Sequence, residues 1–413
     1  MERVQSPILQ TNFSDQNIID FRNDTPGCSN VVHLNNAGSG LMPRVVSNAI
    51  MAHVQLESDI GGYEAAALQK DVVQEFYHQA ALLLNCKPTN IAFTSSATDA
   101  YTRALSSIPF REGDIILTST NDFISNQIQF LSCQKRFGIH VVRVADTDSG
   151  EIDLNDLHEK LHTLRPRLLS ITHIPTNSGL IQPVEAIGKI VKAYRDSTRE
   201  DTWYILDACQ SIGQLQLDVD VLHCDFLSVT ARKFLRGPRG TGFLFISDRA
   251  LRSNLEPLFL DMRGAEWISK DRYQIREDAT RFEDWEFAYA LVLGTSEAIK
   301  YYLSIDQHKI TTRVQQLSNY TRQQLAGING TRVLDEGKEK GGLVTFTIDG
   351  QEPTHLVNEL SKRKINVVPS YRNFAVMDFD KKKASWALRA SPHYYNTHAE
   401  IDEFVHALAT ILK

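Results

Sequence analysis

The sequence predicts an α/β fold, with a large doubly wound, mainly parallel sheet domain and a small α+β C-terminal domain. Three observations predict it. Between about residues 70 and 250, short apolar runs alternate with amphipathic stretches. Several of those runs are apolar throughout, as strands covered on both faces are. After about residue 285 the rhythm changes to long helices with scattered strands, the pattern of a separate α+β unit.

The strand-like runs are, in order, Ile91–Thr94, Ile115–Thr118, His140–Val144, Leu168–Thr172, Tyr204–Leu206, Phe226–Thr230 and Gly242–Ile246. Between them, Leu154, Leu157, Leu161 and Leu164 form one helical stripe. Val184, Ile187, Ile190, Val191 and Tyr194 form another, with Pro183 at its first turn, where a missing N–H costs nothing. Downstream, a helix is predicted over Phe287–Leu303 and another over about 306–326. A strand (Gly342–Ile348), a helix (about 354–364), a short strand (Ile365–Val368), a strand near Trp386–Arg389 and a helix from about 398 follow. There is no internal repeat and no Pro/Ser-rich linker. The predicted division is a large domain at 30–285 and a small one built from 1–29 and 286–413.

Composition narrows the class. The 413 residues carry 44 Lys+Arg and 50 Asp+Glu, a net charge of −6, with 42% hydrophobic and 23% charged residues. That balance excludes disorder, collagen and coiled coil, and the lack of a basic block argues against nucleic-acid or membrane-surface binding. Cys28, Cys86, Cys133, Cys209 and Cys224 are widely spaced, odd in number and form no CxxC. Neither a disulfide framework nor a zinc knuckle is readable. MERVQSPILQTNFSDQN at the N-terminus lacks a signal-peptide pattern, and no apolar run approaches the roughly 18 residues of a membrane span. A cytoplasmic protein is expected.

Several motifs are set aside. His158-Glu159-Lys160-Leu161-His162 matches HExxH, but it lies in a helix whose Leu stripe faces the core and no third ligand follows; no metal is expected. Gly237-Pro238-Arg239-Gly240-Thr241-Gly242 precedes a strand instead of following one, so it is neither a dinucleotide fingerprint nor a Walker loop. Ser125, Ser178 and Ser211 lack the G-x-S-x-G elbow.

The informative pattern is distributed. Asp207 closes the run Tyr204–Leu206, and Lys233 follows the run Phe226–Thr230 in the same relative place. Carboxyl ends of parallel strands are where open α/β sheets build their sites. An Asp and a Lys there can form a buried ion pair. Pyridoxal phosphate chemistry needs the same two groups, the lysine for the Schiff base and the aspartate to keep the pyridine nitrogen protonated. The Gly-rich turn that follows favours the cofactor.

These stretches resemble the class V aminotransferase-like enzymes that depend on pyridoxal phosphate, a fold type I group. It includes cysteine desulfurases, selenocysteine lyases, isopenicillin N epimerase and hercynylcysteine sulfoxide lyases. The resemblance rests on LNNAGSGLMP (34–43), FTSSATDA (93–100), THIPTNSG (172–179), DACQSIGQ (207–214), TARKFLRGPRGTGF (230–243), RFEDWE (281–286) and LRASPHYYNT (388–397), seven stretches in family order. It implies that Lys233 carries the cofactor and moves the α-proton and that Asp207 pairs with the ring nitrogen. Gln210 and Asn177 would hydrogen-bond the ring or its 3′-oxygen. Ala97 and Thr98 would hold the phosphate at a helix N-terminus, aided by Thr230 and Arg232. Phe123 would stack on the ring. Arg389 would grip the substrate carboxylate as a fork, with Asn35, Ala37 and Gly38 beside it. Tyr63, Tyr371, Trp285 and Tyr394 are candidate pocket linings, and the family implies a homodimer.

Three departures matter. Desulfurases usually stack a His on the ring, whereas Phe123 here can stack but cannot shuttle a proton. Desulfurases carry a nucleophilic cysteine on a loop before the carboxylate arginine, and Val368–Phe379 here has none. The family's phosphate-binding Thr after RFE is replaced by Trp285-Glu286, which leaves that contact unassigned. The expectation is therefore a carbon–sulfur β-lyase that acts on a cysteine conjugate or sulfoxide and releases pyruvate and ammonia. Hercynylcysteine sulfoxide, in ergothioneine synthesis, is the named candidate substrate. A class V aminotransferase or amino-acid epimerase is the alternative, and a cysteine desulfurase is ranked below both.

Overall fold

The computed structural model describes residues 12–413; residues 1–11, including most of the segment read for a leader, lie outside them. The described chain opens with α1 (Asp15–Asn23), β1 (Val32–His33) and three helices, α2 (Arg44–Ile60), α3 (Gly62–Leu68) and α4 (Lys70–Leu84). It then alternates through β2 (Ile91–Thr94), α5 (Ala97–Ser106), β3 (Ile115–Thr118), α6 (Ile124–Phe137), β4 (His140–Arg143) and α7 (Leu154–Leu164). The alternation continues with β5 (Leu168–Thr172), α8 (Val184–Thr198), β6 (Trp203–Asp207), α9 (Val219–Leu222), β7 (Phe226–Thr230) and β8 (Gly242–Ile246). After α10 (Asp248–Arg252) comes a hairpin of β9 (Ala265–Ser269) and β10 (Arg272–Ile275), then α11 (Tyr289–Leu303) and α12 (Gln307–Ala326). The remainder is β11 (Thr331–Val333), β12 (Val344–Ile348), α13 (Pro353–Lys362), β13 (Ile365–Asn366), β14 (Val368–Tyr371), α14 (Val376–Lys381), β15 (Trp386–Ala390) and α15 (His398–Ile411).

The seven predicted strands form one sheet in the order β2-β8-β7-β6-β5-β3-β4. β4, β3, β5, β6 and β7 run parallel, while β8 lies antiparallel between β7 and β2. All residues of β5, β6, β7 and β8 are buried, which explains their continuous apolarity: helices cover both faces. The cores on either side share no member. Tyr204, Leu206, Leu227 and Val229 face one, with Ile187, Val191 and Leu157; Ile205, Phe226 and Leu244 face the other, with Tyr101 and Phe130. The period-2 alternation of a strand distributes its side chains in this way.

The second sheet, β11-β12-β15-β14, is antiparallel. It is backed by Leu356, Leu360, Phe404 and Leu408 of α13 and α15. β1 pairs in parallel with β13. The segment leading to Asn35 is thereby laid against the C-terminal unit, and an isolated bridge joins Asn35 to Ser391. No described helix is long and apolar enough to cross a membrane.

Candidate active site

β6 and β7 deliver the two central groups. Asp207 ends β6, in register with Thr172 of β5. Its Oδ1 accepts from the Cys209 backbone N–H (2.9 Å) and its Oδ2 from Asn126 Nδ2 (3.3 Å). Lys233 lies in the reversal from β7 into β8. That turn is closed by hydrogen bonds from Arg236 N–H to the Lys233 carbonyl (3.0 Å) and from Gly237 N–H to the Ala231 carbonyl (2.8 Å). Burial pulls the Lys233 amine down to about 8; Arg232 and Arg389 act in the same direction, and Cys209 and Asp207 oppose it. A lysine so tuned gives up its proton far more readily than an exposed one, as a nucleophile or base requires.

Both residues line a cavity of about 80 Å³ at the carboxyl ends of the strands. Six more of the sequence candidates line it: Ala97, Thr98, Phe123, Gln210, Thr230 and Arg232. Five lining residues were not singled out from sequence: Ser96, Thr172, Ile174, Thr176 and Cys209. A groove of about 840 Å³ opens elsewhere, along α8, α9 and α12. Neither Lys233 nor Asp207 reaches it, and the strand-end position of the smaller cavity decides where the chemistry sits.

One end of the cavity suits an anion. Ser96 caps α5, its hydroxyl accepting from Asp99 N–H at 3.1 Å. The first-turn amides at Ala97 and Thr98 therefore face the cavity with the helix dipole behind them. Gly242 makes this approach possible: a Cβ there would stand 2.4 Å from the Val229 carbonyl oxygen and 3.0 Å from the Ala97 nitrogen. Thr230 and Arg232 enter from β7, and Arg232 donates to the Gly38 carbonyl.

Behind Thr176 and Gln210 of the lining stands a group that suits a carboxylate. Arg389, on β15, is buried, and its Nη1 donates to Thr176 Oγ1 (2.7 Å) and the Thr176 carbonyl (3.0 Å). Its Nη2 reaches Asn35 Oδ1 at 3.5 Å. Burial, with Arg232 nearby, lowers its pKa to about 10. Gln210 Nε2 donates to the Ala37 carbonyl (3.1 Å) and to Thr176 Oγ1 (3.0 Å). Asn35, Ala37 and Gly38 are thus all tied to the site.

Arg389, Asn35, Ala37 and Gly38 do not line the cavity themselves and are joined to it through Thr176, Gln210 and Arg232; two further candidates lack even that link. Asn177 is not among the lining residues; its amide donates to Asn121 Oδ1 (3.0 Å) and Asp378 Oδ2 (2.6 Å), and Thr176 takes the cavity side. Tyr63 lies on α3 with 78% of its surface exposed, away from the cavity of its own chain. Of the other aromatics, Tyr394 is enclosed against Arg236, Trp285 is half exposed, and Tyr371 belongs to the small sheet. In RFEDWE, Glu283 is a brace: it accepts from Phe93 N–H (2.7 Å) and Tyr77 Oη (2.8 Å) and pairs with Arg263 (2.6 Å).

The residues present fit pyridoxal phosphate. Gln210 Oε1 and Arg389 Nε are buried without a partner, and buried polar atoms of this kind await a ligand or water. The anion cradle, Asp207 and Lys233 stand where phosphate, ring nitrogen and aldehyde would be held.

Comparison with known proteins agrees. The family model for class V aminotransferases matches residues 32–404. A probable cysteine desulfurase from Pyrococcus abyssi is 26% identical over 95% of this chain and 97% of its own. One from Borreliella burgdorferi is 25% identical over 100% and 96%. Among solved structures, a cysteine desulfurase from Escherichia coli superposes with a TM-score of 0.86 at 21% identity, over 96% of this chain and 98% of its own. These relatives correct the expected reaction. The sulfoxide or conjugate β-lyase reading, with desulfurase ranked below it, rested on one loop, on Phe123 in place of a histidine and on the form of two motifs; the relatives named cysteine desulfurases align over nearly the whole chain. The chain belongs to the class V aminotransferase family, and pyridoxal phosphate is its cofactor.

Proposed function

We propose that the protein removes sulfur from L-cysteine in a desulfurase-type reaction and passes it to an external thiol, leaving alanine. Cysteine and a thiol RSH become alanine and the persulfide RSSH, so sulfur and hydrogen balance. The observation that carries this reading is the single cavity shared by Lys233, Asp207 and Thr176, the last holding Arg389. Bound pyridoxal phosphate supplies an electron sink for the substrate's α-carbon. Arg389 orients the carboxylate, and Lys233 Nζ takes the proton from Cα and returns one to Cβ as sulfur leaves. Ala97, Thr98, Thr230 and Arg232 anchor the phosphate, while Phe123 packs against the ring.

The acceptor is external because the chain offers no thiolate of its own. Val368–Lys381 holds no cysteine. In its place α14 is pinned by Asp378, which accepts from Asn121 (3.0 Å) and Asn177 and pairs with Lys382 (2.8 Å). Cys209 lines the cavity, but burial pushes its thiol well above the ordinary value, with Asp207 adding to the rise. It keeps its proton.

The reading also takes the protein as a cytoplasmic homodimer. Unpaired cysteines support the compartment. Met51, Val54 and Ile60 of α2 and Tyr63 and Leu68 of α3, all left exposed, support a second copy as their cover.

The test is to incubate the holoprotein with L-cysteine and dithiothreitol and to quantify alanine, sulfide and pyruvate. Alanine matching sulfide is expected, with none from Lys233→Ala. Pyruvate and ammonia in place of alanine would overturn the reading.

A further inference from the structure

Behind Asp207 lies a second buried carboxylate that the reaction does not use. Asp122, on the loop after β3, is 5% exposed and has no cationic partner among the described residues. Five donors converge on it: Phe123 N–H (2.7 Å), Asn126 Nδ2 (3.0 Å), Gln127 Nε2 (2.7 Å), the Thr118 hydroxyl (3.5 Å) and the Thr172 hydroxyl. Such a donor set favours the ionised, acceptor-only form. Burial holds the carboxyl above the ordinary carboxylate value and Asp207 adds to the rise, while the donors from Thr172, Gln127 and Asn126 oppose it without cancelling it.

The arrangement is a relay. Asn126 Nδ2 donates to Asp122 Oδ1 and also to Asp207 Oδ2, so one amide nitrogen serves both carboxylates. Its orientation is forced, because the amide oxygen turned to either carboxylate would place acceptor against acceptor. On the outer side, Gln127 spans from Asp122 to Arg143, whose Nη2 donates to Gln127 Oε1 at 2.8 Å. The path runs Arg143, Gln127, Asp122, Asn126, Asp207, and hydrogen bonds in such chains polarise one another. Two of the remaining donors to Asp122, Thr172 and the Phe123 backbone, belong to residues that line the cavity.

We propose that Asp122 is a positioning residue for the cofactor's ring nitrogen: through Asn126 it fixes the Asp207 carboxylate and stations a second negative charge behind it. Two carboxylates sharing a dry pocket repel each other, and a protonated pyridine nitrogen at Asp207 relieves that repulsion. The effect of Asp122 is therefore confined to cofactors with a ring nitrogen, whereas mere support of the cavity wall would act on any ligand of that shape.

The experiment titrates apoprotein with pyridoxal phosphate and with an analogue bearing carbon in place of the ring nitrogen, reading affinity by absorbance. For Asp122→Asn we expect about tenfold weaker binding of pyridoxal phosphate and less than about twofold change for the analogue, one order of magnitude being one pKa unit's worth of interaction. Asn126→Ser, which leaves Asp122 in place, should show the same selectivity and serves if Asp122→Asn does not fold. Equal losses for both ligands, or no loss for either, would overturn the proposal. Failure of the unsubstituted protein to bind pyridoxal phosphate would count against the cofactor itself and is read separately.

Discussion

Lys233 is enclosed by protein and forms no ion pair among the described residues, so its charged form is disfavoured until the cofactor arrives. The linkage has a definite sign. Its pKa falls from 10.5 in the unfolded chain to about 8 in the folded apoprotein, so between those values the unfolded chain binds more protons, and stability rises with pH. Below about 8 both states are protonated and the burial penalty is constant. Urea unfolding of the apoprotein should therefore show the difference between Lys233→Met and the parent shrinking from pH 8 to 10.5. A constant difference would mean the amine is not desolvated. At this scale the sequence was a good guide where a strand end dictates position, as for Asp207 and Thr230. It was off by one in the loop after β5, where Asn177 was chosen and Thr176 faces the cavity. No periodicity sets the register of a loop. Asp122 gave no signal at all, because its partners come from α6 and β5 and meet only in three dimensions.

Elements position the site through close backbone approach. Gly242 opens β8 where α5 begins, and its missing Cβ leaves room for Ser96 and Ala97. Gly242→Ala should cost about 2 kcal/mol through overpacking and weaken cofactor binding by shifting the first turn of α5. Asp153→Ala removes the cap of α7, where the carboxylate accepts from Asn155 and Asp156 N–H; it should cost about 1 kcal/mol and leave cofactor affinity unchanged. Denaturation with cofactor titration separates the two, and equal effects on affinity would contradict this account of the cradle. The central strands were legible because burial on both faces makes them apolar throughout. The β9–β10 hairpin was not, because its residues are mostly exposed and their pattern carries no core signature.

For the whole molecule, the exposed apolar residues are where the proposed second copy is tested. Met51 and Trp267 are 60% and 79% exposed, on α2 and β9. Combining Met51→Glu with Trp267→Glu should convert a dimer to a monomer in light scattering, and a parent that is monomeric at micromolar concentration would remove the second copy from the proposal.

The strand order has a consequence in time. Lys233 sits on the reversal into β8, and β8 must slot between β7 and β2, whose Ile91 pairs with Phe245. Contacts so distant along the chain close late. A nascent chain that has not yet emerged beyond Ile246 can have five parallel strands and still lack a completed β8 beside Ser96 and Ala97. The anion cradle is therefore complete only when the last strand of the large sheet is in place beside the first turn of α5.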